Sequence, residues 1–270
     1  MPSERAKFIE DEPSSAPYFR RLIGADEHIN GTVRWVLTLH DADPSVVNSA
    51  PLIKERISAV RQFRLGSKRA STLAAARNPA SFALQTIPSS SFLVLPRVSS
   101  ERREYVPFGW QDPPAIPTDA IIVLLDATLL DFAILTSRQH MAWLAHIGGR
   151  LESRYRYSIG LVYNTFPWPD ATPAQRARIE ALAQAVLDAR AAHPTASLAD
   201  LYDPDTMPAN LRRAHHALDL AVDKLYRAAP FASDRDRVEH LFGRYEALVN
   251  PLQTAGVRAN RRTARRAAKS

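Results

Sequence analysis

The sequence contains no cysteine, and this absence excludes several kinds of site. Its 270 residues can form no disulfide, no thiolate metal site and no cysteine nucleophile. No apolar run approaches the roughly 20 residues that cross a bilayer. The first residues, MPSERAKFIEDEP, are charged and no apolar segment follows them. We therefore predict neither export nor membrane insertion, and the lack of cysteine suits the reducing cytoplasm.

Glycine is also scarce, and its 9 residues form no GxG loop of the kind that cradles a nucleoside cofactor. The tetrapeptide Asp112-Pro113-Pro114-Ala115 is similar to the Asp/Asn-Pro-Pro-aromatic loop of amino-methyltransferases. Ala115, however, stands where that loop needs a ring to stack on a flipped base. His140 and His146 are too far apart on a helix to share a metal ion, and the adjacent His215 and His216 point to different faces. We therefore expect no catalytic, cofactor-binding or metal-binding residue in this chain.

The net charge of +7 is unevenly distributed along the sequence. Residues 256–270 carry six basic side chains and no acidic one, so the remainder of the chain is nearly neutral. Such a tail can hold phosphates without sequence preference, and it is equally typical of solubilising disorder. Net charge alone therefore does not identify a nucleic-acid-binding body.

The most informative stretch is GRLESRYRYSIGLVYNTFPWP, residues 149–169. From residue 153 to residue 163, tyrosine and aliphatic side chains alternate with charged and small ones, which predicts a half-buried β-strand. Glu152, Arg154 and Arg156 then share its open face, because they are spaced by two. Pro167 and Pro169 end the regular structure.

The open face carries the groups that read base edges in duplex DNA. An arginine can donate two hydrogen bonds to guanine O6 and N7, and a carboxylate can accept one from cytosine N4. The alternative is an ordinary solvated strand face on which Glu152 pairs loosely with Arg154 or Arg156. The pattern alone leaves both interpretations open.

Apolar spacing elsewhere predicts an α+β protein. We expect strands near residues 33–39, 89–98 and 120–126, the last being alternatively a helix start. Helices are expected at residues 51–65, 128–147, 172–192, 206–227 and 233–249, the last three forming a small bundle. Basic residues on and after the first of these helices suit either phosphate contact or a solvated face: Arg61, Arg64, Lys68 and Arg69.

Residues 149–169 resemble the end of the target-recognition domain in the MmeI-like family, which are large single-chain restriction–modification enzymes that methylate adenine. LIGADEHING at residues 22–31, followed by Arg34-Trp35, is similar to the opening of that domain. VSSERREYVP at 98–107 and LTSRQHMAW at 135–143 are similar to its later segments. DLYDP at 200–204, with Met207-Pro208 and Leu211, resembles the family's carboxy-terminal helical region. The likeness covers most of residues 16–252 in the family's order.

The resemblance implies a division of the chain and a set of site residues. Residues 1–16 are expected to be disordered or a linker remnant, 17–169 a mixed β/α target-recognition domain, 170–252 a helical domain and 253–270 a basic disordered tail. By position, the family's base-reading residues fall on Glu152, Arg154 and Arg156. Further residues are expected to contact phosphates or to support those that do: Arg61, Arg64, Lys68, Arg69, Arg102, Arg103, Ser137, Arg138 and His140.

The resemblance also implies a function, which is sequence-specific recognition of double-stranded DNA for an adenine-N6 methyltransferase. The catalytic domains would lie outside this chain, which is then a fragment or a separately encoded specificity part. S-adenosylmethionine is expected only in that methyltransferase domain, and a separate methyltransferase or nuclease chain is a candidate partner. One alternative is a protein-interaction module that docks such a chain. The other is an autonomous methyltransferase that uses Asp112-Pro113-Pro114.

Overall fold

The computed structural model describes residues 2–82 and 87–250, and helices and strands run through both ranges. Up to residue 99 they are α1 (Pro2–Asp11), β1 (Phe19–Ile23), α2 (Ala25–Asn30), β2 (Arg34–Leu37), α3 (Pro44–Ser49), α4 (Pro51–Leu65), α5 (Ala70–Ala75), β3 (Phe92–Pro96) and β4 (Val98–Ser99). They continue with β5 (Gly109–Gln111), β6 (Ala115–Pro117), β7 (Ile121–Leu124), α6 (Leu129–Leu135), α7 (Arg138–Ile147), β8 (Gly149–Leu151), β9 (Arg154–Arg156), α8 (Pro173–Ala191), α9 (Leu198–Leu201), α10 (Ala209–Tyr226) and α11 (Asp234–Val249). The α+β class predicted from the sequence is confirmed.

The chain divides into two compact units. Unit 1 comprises Met1–Val94 and Trp110–Asp126, and unit 2 comprises Leu95–Gly109 and Ala127–Ser270. The division that the sequence suggested at residue 169 lies within unit 2, where mixed structure gives way to helices. The predicted basic tail at 253–270 lies outside the described residues.

Unit 1 is built on two small sheets. In the first, with strand order β2–β1–β6, β1 is antiparallel to β2 and parallel to β6. The second has the order β5–β3–β7. Aliphatic and aromatic side chains from these strands form one buried cluster: Ile23, Phe92, Val94, Ala115 and Ile121.

The start of unit 1 differs from the disorder or linker remnant that the sequence suggested for residues 1–16. Residues 2–11 form α1 and Pro13–Tyr18 form a 3-10 helix. Phe8 of α1 packs edge-on against Phe19 of β1, with ring centroids 5.6 Å apart, and the Arg5 guanidinium lies 4.2 Å from the Trp35 ring centre. These partners are 11 and 30 residues away, so no local pattern in the first 16 residues reveals them.

The helix predicted at residues 51–65 is confirmed as α4. Pro51 occupies its first turn, where a missing N–H costs nothing, and Gly66 follows its last residue. Ile53 is buried, but the apolar stripe does not stay inside to the end, because Phe63 is 78% exposed. This exposed ring is a feature that amphipathic spacing did not predict.

In unit 2 the prediction of a single helix at residues 128–147 is wrong, because the structure has two helices there. Thr128 and Asp131 cap α6 reciprocally, and α6 ends at Leu135. Ser137 has an extended backbone at the start of α7, and its hydroxyl donates a 2.7 Å hydrogen bond to the carbonyl of Ile134. A serine that bonds to the preceding turn breaks the helical ladder at this point.

The three carboxy-terminal helices are confirmed as α8, α10 and α11. Thr172 and Ser233 accept hydrogen bonds from the first turns of α8 and α11, as their capping positions predicted. On α10 the apolar stripe of Leu211, Leu218 and Val222 is fully buried. No helix within the described ranges 2–82 and 87–250 has the length and apolar character needed to cross a membrane.

Candidate nucleic-acid interface

The stretch that the sequence singled out forms a hairpin rather than a long strand. β8 and β9 are antiparallel, and Glu152 and Ser153 make the two-residue turn between them. Glu152 has φ of 57°, in the left-handed region that tight hairpin turns use. The predicted continuous strand over residues 153–163 is wrong, because β9 ends at Arg156 and a π-helix occupies Ile159–Tyr163.

The change of structure alters which side chains are buried. The backbone N–H of Tyr157 still donates to the carbonyl of Arg97, at 2.8 Å, and the Tyr157 side chain is buried. Ile159 and Leu161, predicted to face inward, are 42% and 57% exposed instead. The alternation of buried and exposed side chains ends where the strand gives way to the π-helix. Beyond that point the π-helix determines which side chains are buried.

The strand register places two arginines on one face of the sheet β4–β9–β8. Arg154 pairs with Leu151 of β8, and Arg156 pairs with Gly149 of β8 and Val98 of β4. Directly paired residues point to the same face, so Arg154 and Arg156 project together. Both are exposed, so the predicted open face is confirmed for these two arginines. Glu152 is exposed as well, but it lies in the turn and not on the strand face on which it was predicted.

The opposite face attaches the hairpin to the body of unit 2. Tyr155 pairs with Arg150, whose guanidinium lies 4.1 Å from the Tyr155 ring centre and donates a 3.1 Å hydrogen bond to the carbonyl of Ala145 in α7. Arg150 is therefore engaged internally, whereas Arg154 and Arg156 are presented outward.

An ion pair joins the turn to the strand, as the alternative interpretation predicted. The Arg154 guanidinium lies 2.7 Å from the Glu152 carboxylate, with the two side chains 46% and 76% exposed. An exposed pair of this kind contributes only about 0–1 kcal/mol. It orients both groups at little energetic cost, so a ligand that offers complementary groups can replace it.

The hairpin tip is tied to the loop after β4 by a contact that sequence reasoning missed. The Ser153 hydroxyl donates a 2.8 Å hydrogen bond to the carboxylate of Glu101. This hydrogen bond is the main cause that lowers the pKa of Glu101, and Arg154 and Arg150 add to it through their charge. The partners are 52 positions apart in the sequence, so no local signal indicates the contact.

Two of the residues predicted to contact phosphate or to support such contacts are buried, which leaves them the supporting role. Ser137 and His140 are fully buried. His140 Nε2 lies 2.9 Å from the Tyr157 hydroxyl, directly after β9, and burial lowers the pKa of His140 to about 3. A neutral, enclosed imidazole cannot attract a phosphate, but it does fix the end of the strand that carries Arg154 and Arg156.

The remaining residues of unit 2 that were predicted to contact phosphate or to support such contacts differ in their own hydrogen-bond and ion-pair partners. Arg138 Nε donates a 2.9 Å hydrogen bond to Asp234, and Arg102 forms a 2.5 Å ion pair with Asp205. Arg103 is half-buried, and its Nε is enclosed without a hydrogen-bond partner within the described residues. Burial lowers the pKa of Arg103. Of these three guanidiniums, Arg103 has the most unsatisfied donor capacity.

In unit 1 the predicted basic residues also differ in their roles. Arg64 donates to the carbonyls of Ala75, Asn78 and Ser81 at 2.9, 2.8 and 2.7 Å, so it holds the segment after α5 in place. Arg61, Lys68 and Arg69 are exposed, and none of the described ion pairs includes them. These three are available to an anionic ligand.

The loop that resembles a methyltransferase motif has a structural contact of its own. The Asp112 carboxylate accepts a hydrogen bond from the Ser91 hydroxyl. Within residues 2–82 and 87–250, no cluster of three or more histidine and acidic side chains is arranged to hold a metal ion.

Comparison with known proteins confirms the resemblance seen in the sequence. The family model described as "MmeI, target recognition domain" matches residues 1–170, and the one described as "MmeI, C-terminal domain" matches residues 171–253. The chain therefore belongs to the MmeI family, of which it carries the target-recognition and C-terminal domains.

Two relatives are much longer than this chain. One is DNA methyltransferase A of Bacillus subtilis (strain 168), which is 39% identical over 247 residues, or 92% of this chain and 28% of the relative. The other is the solved structure of the type IIL restriction-modification enzyme MmeI in complex with DNA. It is 43% identical in sequence and has a TM-score of 0.89. The match covers 92% of this chain and 33% of the MmeI chain. The chain thus spans a third or less of either relative.

Proposed function

We propose that this chain recognises a specific sequence in double-stranded DNA on behalf of a restriction–modification enzyme that methylates adenine at N6. The observation that carries the proposal is the β8–β9 hairpin, whose Glu152, Arg154 and Arg156 are exposed. A two-stranded ribbon fits the major groove of B-DNA, where each base pair has its own pattern of donors and acceptors. The kinship with a protein solved in complex with DNA supports the same conclusion.

The chemistry of the hairpin suits G·C base pairs. Guanine offers O6 and N7 to an arginine, while its partner cytosine offers the N4 amino group to a carboxylate. The Arg154 guanidinium lies 2.7 Å from the Glu152 carboxylate. The two side chains are therefore close enough to contact one G·C pair together, Arg154 at the guanine and Glu152 at the cytosine. Arg156, two residues further along the same face, would contact a neighbouring base pair.

Phosphate contacts would come from cationic side chains that have no internal acidic partner. Arg61, Lys68 and Arg69 of unit 1 take part in no ion pair among the described residues. Arg103 of unit 2 is attracted by the charge of Asp203, but it forms no ion pair and its Nε has no hydrogen-bond partner within that range. The other predicted residues would act as supports: Arg64, Arg102, Ser137, Arg138 and His140. Phosphate contacts position a protein on DNA without specifying sequence, so these residues govern affinity rather than preference.

The chemistry of methyl transfer would take place outside this chain. We propose that S-adenosylmethionine binds a methyltransferase domain that acts with this module, either in a longer polypeptide or as a separate chain. The long relatives are compatible with the first arrangement, because this chain corresponds to a third or less of their length. We propose that this activity takes place in the cytoplasm, which a DNA target and a sequence without cysteine both suit.

The direct experiment is to select random duplex DNA on the purified chain at near-physiological salt and to sequence what is retained. Enrichment of one short asymmetric motif containing a G·C pair is the expected result. The selection is repeated with the chain joined to a methyltransferase domain of the family. A folded protein that enriches no motif in either form would contradict the proposed function.

A further inference from the structure

The surface formed by α4 and α5 in unit 1 has an unusual charge. Helix α4 holds one acidic residue, Glu55, but residues 56–82 contain no aspartate or glutamate, and they contain six basic residues: Arg56, Arg61, Arg64, Lys68, Arg69 and Arg77. Arg61, Lys68, Arg69 and Arg77 are exposed, and none of them takes part in a described ion pair. An ordinary solvated surface mixes charges of both signs, so this one is suited to a polyanion.

The same surface exposes large apolar side chains. Phe63 is 78% exposed, Leu65 51% and Leu73 45%. Leu65 and Leu73 line an open groove of about 710 Å³ between α4 and α5, and Arg61 and Arg77 belong to the same groove. An exposed ring among uncompensated cations marks a contact surface rather than a tolerated surface residue.

The surface is held in shape without a partner. Arg64 of α4 donates hydrogen bonds to the carbonyl of Ala75, the last residue of α5, and to the carbonyls of Asn78 and Ser81 beyond it, and thereby fixes the second wall of the groove. A ligand would therefore meet a preformed platform, and little ordering would accompany binding.

We propose that the α4–α5 surface, where Arg61, Lys68 and Arg69 are the phosphate contacts of the proposed function, also makes an apolar contact to DNA, in which Phe63 packs against a sugar or base. The inference rests on the proposed function and adds Phe63 to its DNA contacts. DNA fits both halves of the observation, because its phosphates match the cations and its sugars and bases accept apolar side chains. An acidic protein segment would match the charge as well, but the similarity of this chain to an enzyme solved in complex with DNA favours nucleic acid.

Salt dependence separates the two kinds of contact. An apolar contact is independent of counterions, whereas each phosphate contact contributes about 0.9 to the slope of log K against log salt concentration. For Phe63→Ala we expect affinity about tenfold weaker on both the selected duplex and an unrelated one, with the slope unchanged. For Arg69→Ala we expect the slope to fall by about 1. Fluorescence anisotropy over a range of salt concentrations measures both quantities.

Two further variants control the test. Leu220→Ala removes an apolar side chain of similar exposure, 63%, from α10, and should bind DNA as the wild type does. Phe63→Trp keeps a ring at the position and should retain affinity. Because Phe63 is exposed, circular dichroism should show that every Phe63 variant keeps the native fold.

The outcomes distinguish this inference from the proposed function. If the wild type selects a motif and Phe63→Ala binds DNA as tightly as the wild type, the apolar contact is overturned while the proposed function stands. A weaker Phe63→Ala protein with a changed motif would also overturn it, because Phe63 would then specify sequence. If neither the chain alone nor the chain joined to a methyltransferase domain bound DNA, both would be overturned together.

Discussion

The hydroxyl of Ser153 donates a 2.8 Å hydrogen bond to the carboxylate of Glu101, which ties the tip of the β8–β9 hairpin to the loop after β4. Ser153 sits between Glu152 and Arg154, so this bond restrains the backbone that positions both. A recognition hairpin gains affinity when its bound shape is already present in the free protein. Glu101 is thus a positioning residue for Glu152 and Arg154, the pair proposed to read bases.

The contribution of this bond is testable by a double-mutant cycle. Ser153→Ala should weaken binding to the selected duplex about threefold and leave binding to unrelated DNA unchanged, because one exposed hydrogen bond is lost. Glu101→Ala should have the same effect, and the double variant should be no weaker than either single one. Glu101→Gln keeps an acceptor oxygen and serves as the control. Additive losses in the double variant would show that the two side chains act independently.

The helical region predicts a sharp contrast between two arginines of α11. Arg237 lies 2.7 Å from Asp223 in a pair that is 14% and 9% exposed, and Gln139 donates a 2.8 Å hydrogen bond to the same carboxylate. Arg237→Met leaves that carboxylate buried without its cation, and should lower the free energy of unfolding by about 3 kcal/mol.

Arg235 provides the matched control on the same helix. Its ion pair with Glu239 is 86% and 65% exposed. Arg235→Met should therefore change stability by less than about 1 kcal/mol in urea unfolding. Equal losses for the two variants would contradict the assignment of Arg237 to a buried network.

His140 should make the protein less stable in acid. Burial lowers the pKa of His140 to about 3 in the folded state, against about 6.5 in the unfolded chain. The unfolded state therefore binds the extra proton between these values, and stability falls as the pH drops below 6.5. Between pH 7 and pH 5 this group should remove about 2 kcal/mol.

A non-titrating substitution isolates that contribution. His140→Gln can still hydrogen-bond to Tyr157, and its loss of stability between pH 7 and pH 5 should be about 2 kcal/mol smaller than that of the wild type. His146→Gln alters an exposed histidine of the same helix and should follow the wild type. A parallel decline in the wild type and His140→Gln would mean that His140 does not titrate as its burial implies.

Much of the helical structure could be predicted because its signals are local. The helices α4, α8, α10 and α11 have long apolar periodicities with proline, threonine or serine at their starts, and those signals lie within a few residues. The break at Ser137 was missed because apolar spacing continues across it. The serine's hydrogen bond to the turn before it is a weaker signal than the twelve apolar residues among positions 128–147.

The hairpin could be predicted only in part. Spacing by two correctly placed Arg154 and Arg156 on one exposed strand face, but Glu152 is exposed in the turn instead. Strands of three residues contain too few positions to show where a period begins and ends. The alternation beyond Arg156 was therefore extended into residues that form a π-helix. The turn at Glu152-Ser153 has neither glycine nor asparagine, so the usual hairpin signal is absent.

The roles of individual arginines were the least predictable feature. Sequence places Arg61 and Arg64 in one basic cluster, yet Arg64 binds three carbonyls of its own unit while Arg61 is free of described ion pairs. Arg138 and Arg102 likewise have acidic partners 96 and 103 residues away. Only tertiary structure determines which cations remain for a ligand.

The central claim, that the hairpin specifies sequence, is tested most directly by repeating the duplex selection with Arg154→Ala beside the wild type. The account predicts that the variant loses its preference at one base pair and keeps the rest of the motif. The lost preference corresponds to about 1–3 kcal/mol of binding free energy between the right and the wrong base. Arg178→Ala, which removes an exposed cation from α8, should leave the motif intact. If Arg154→Ala instead weakened binding to every sequence equally, Arg154 would be a phosphate contact and the claim would be contradicted.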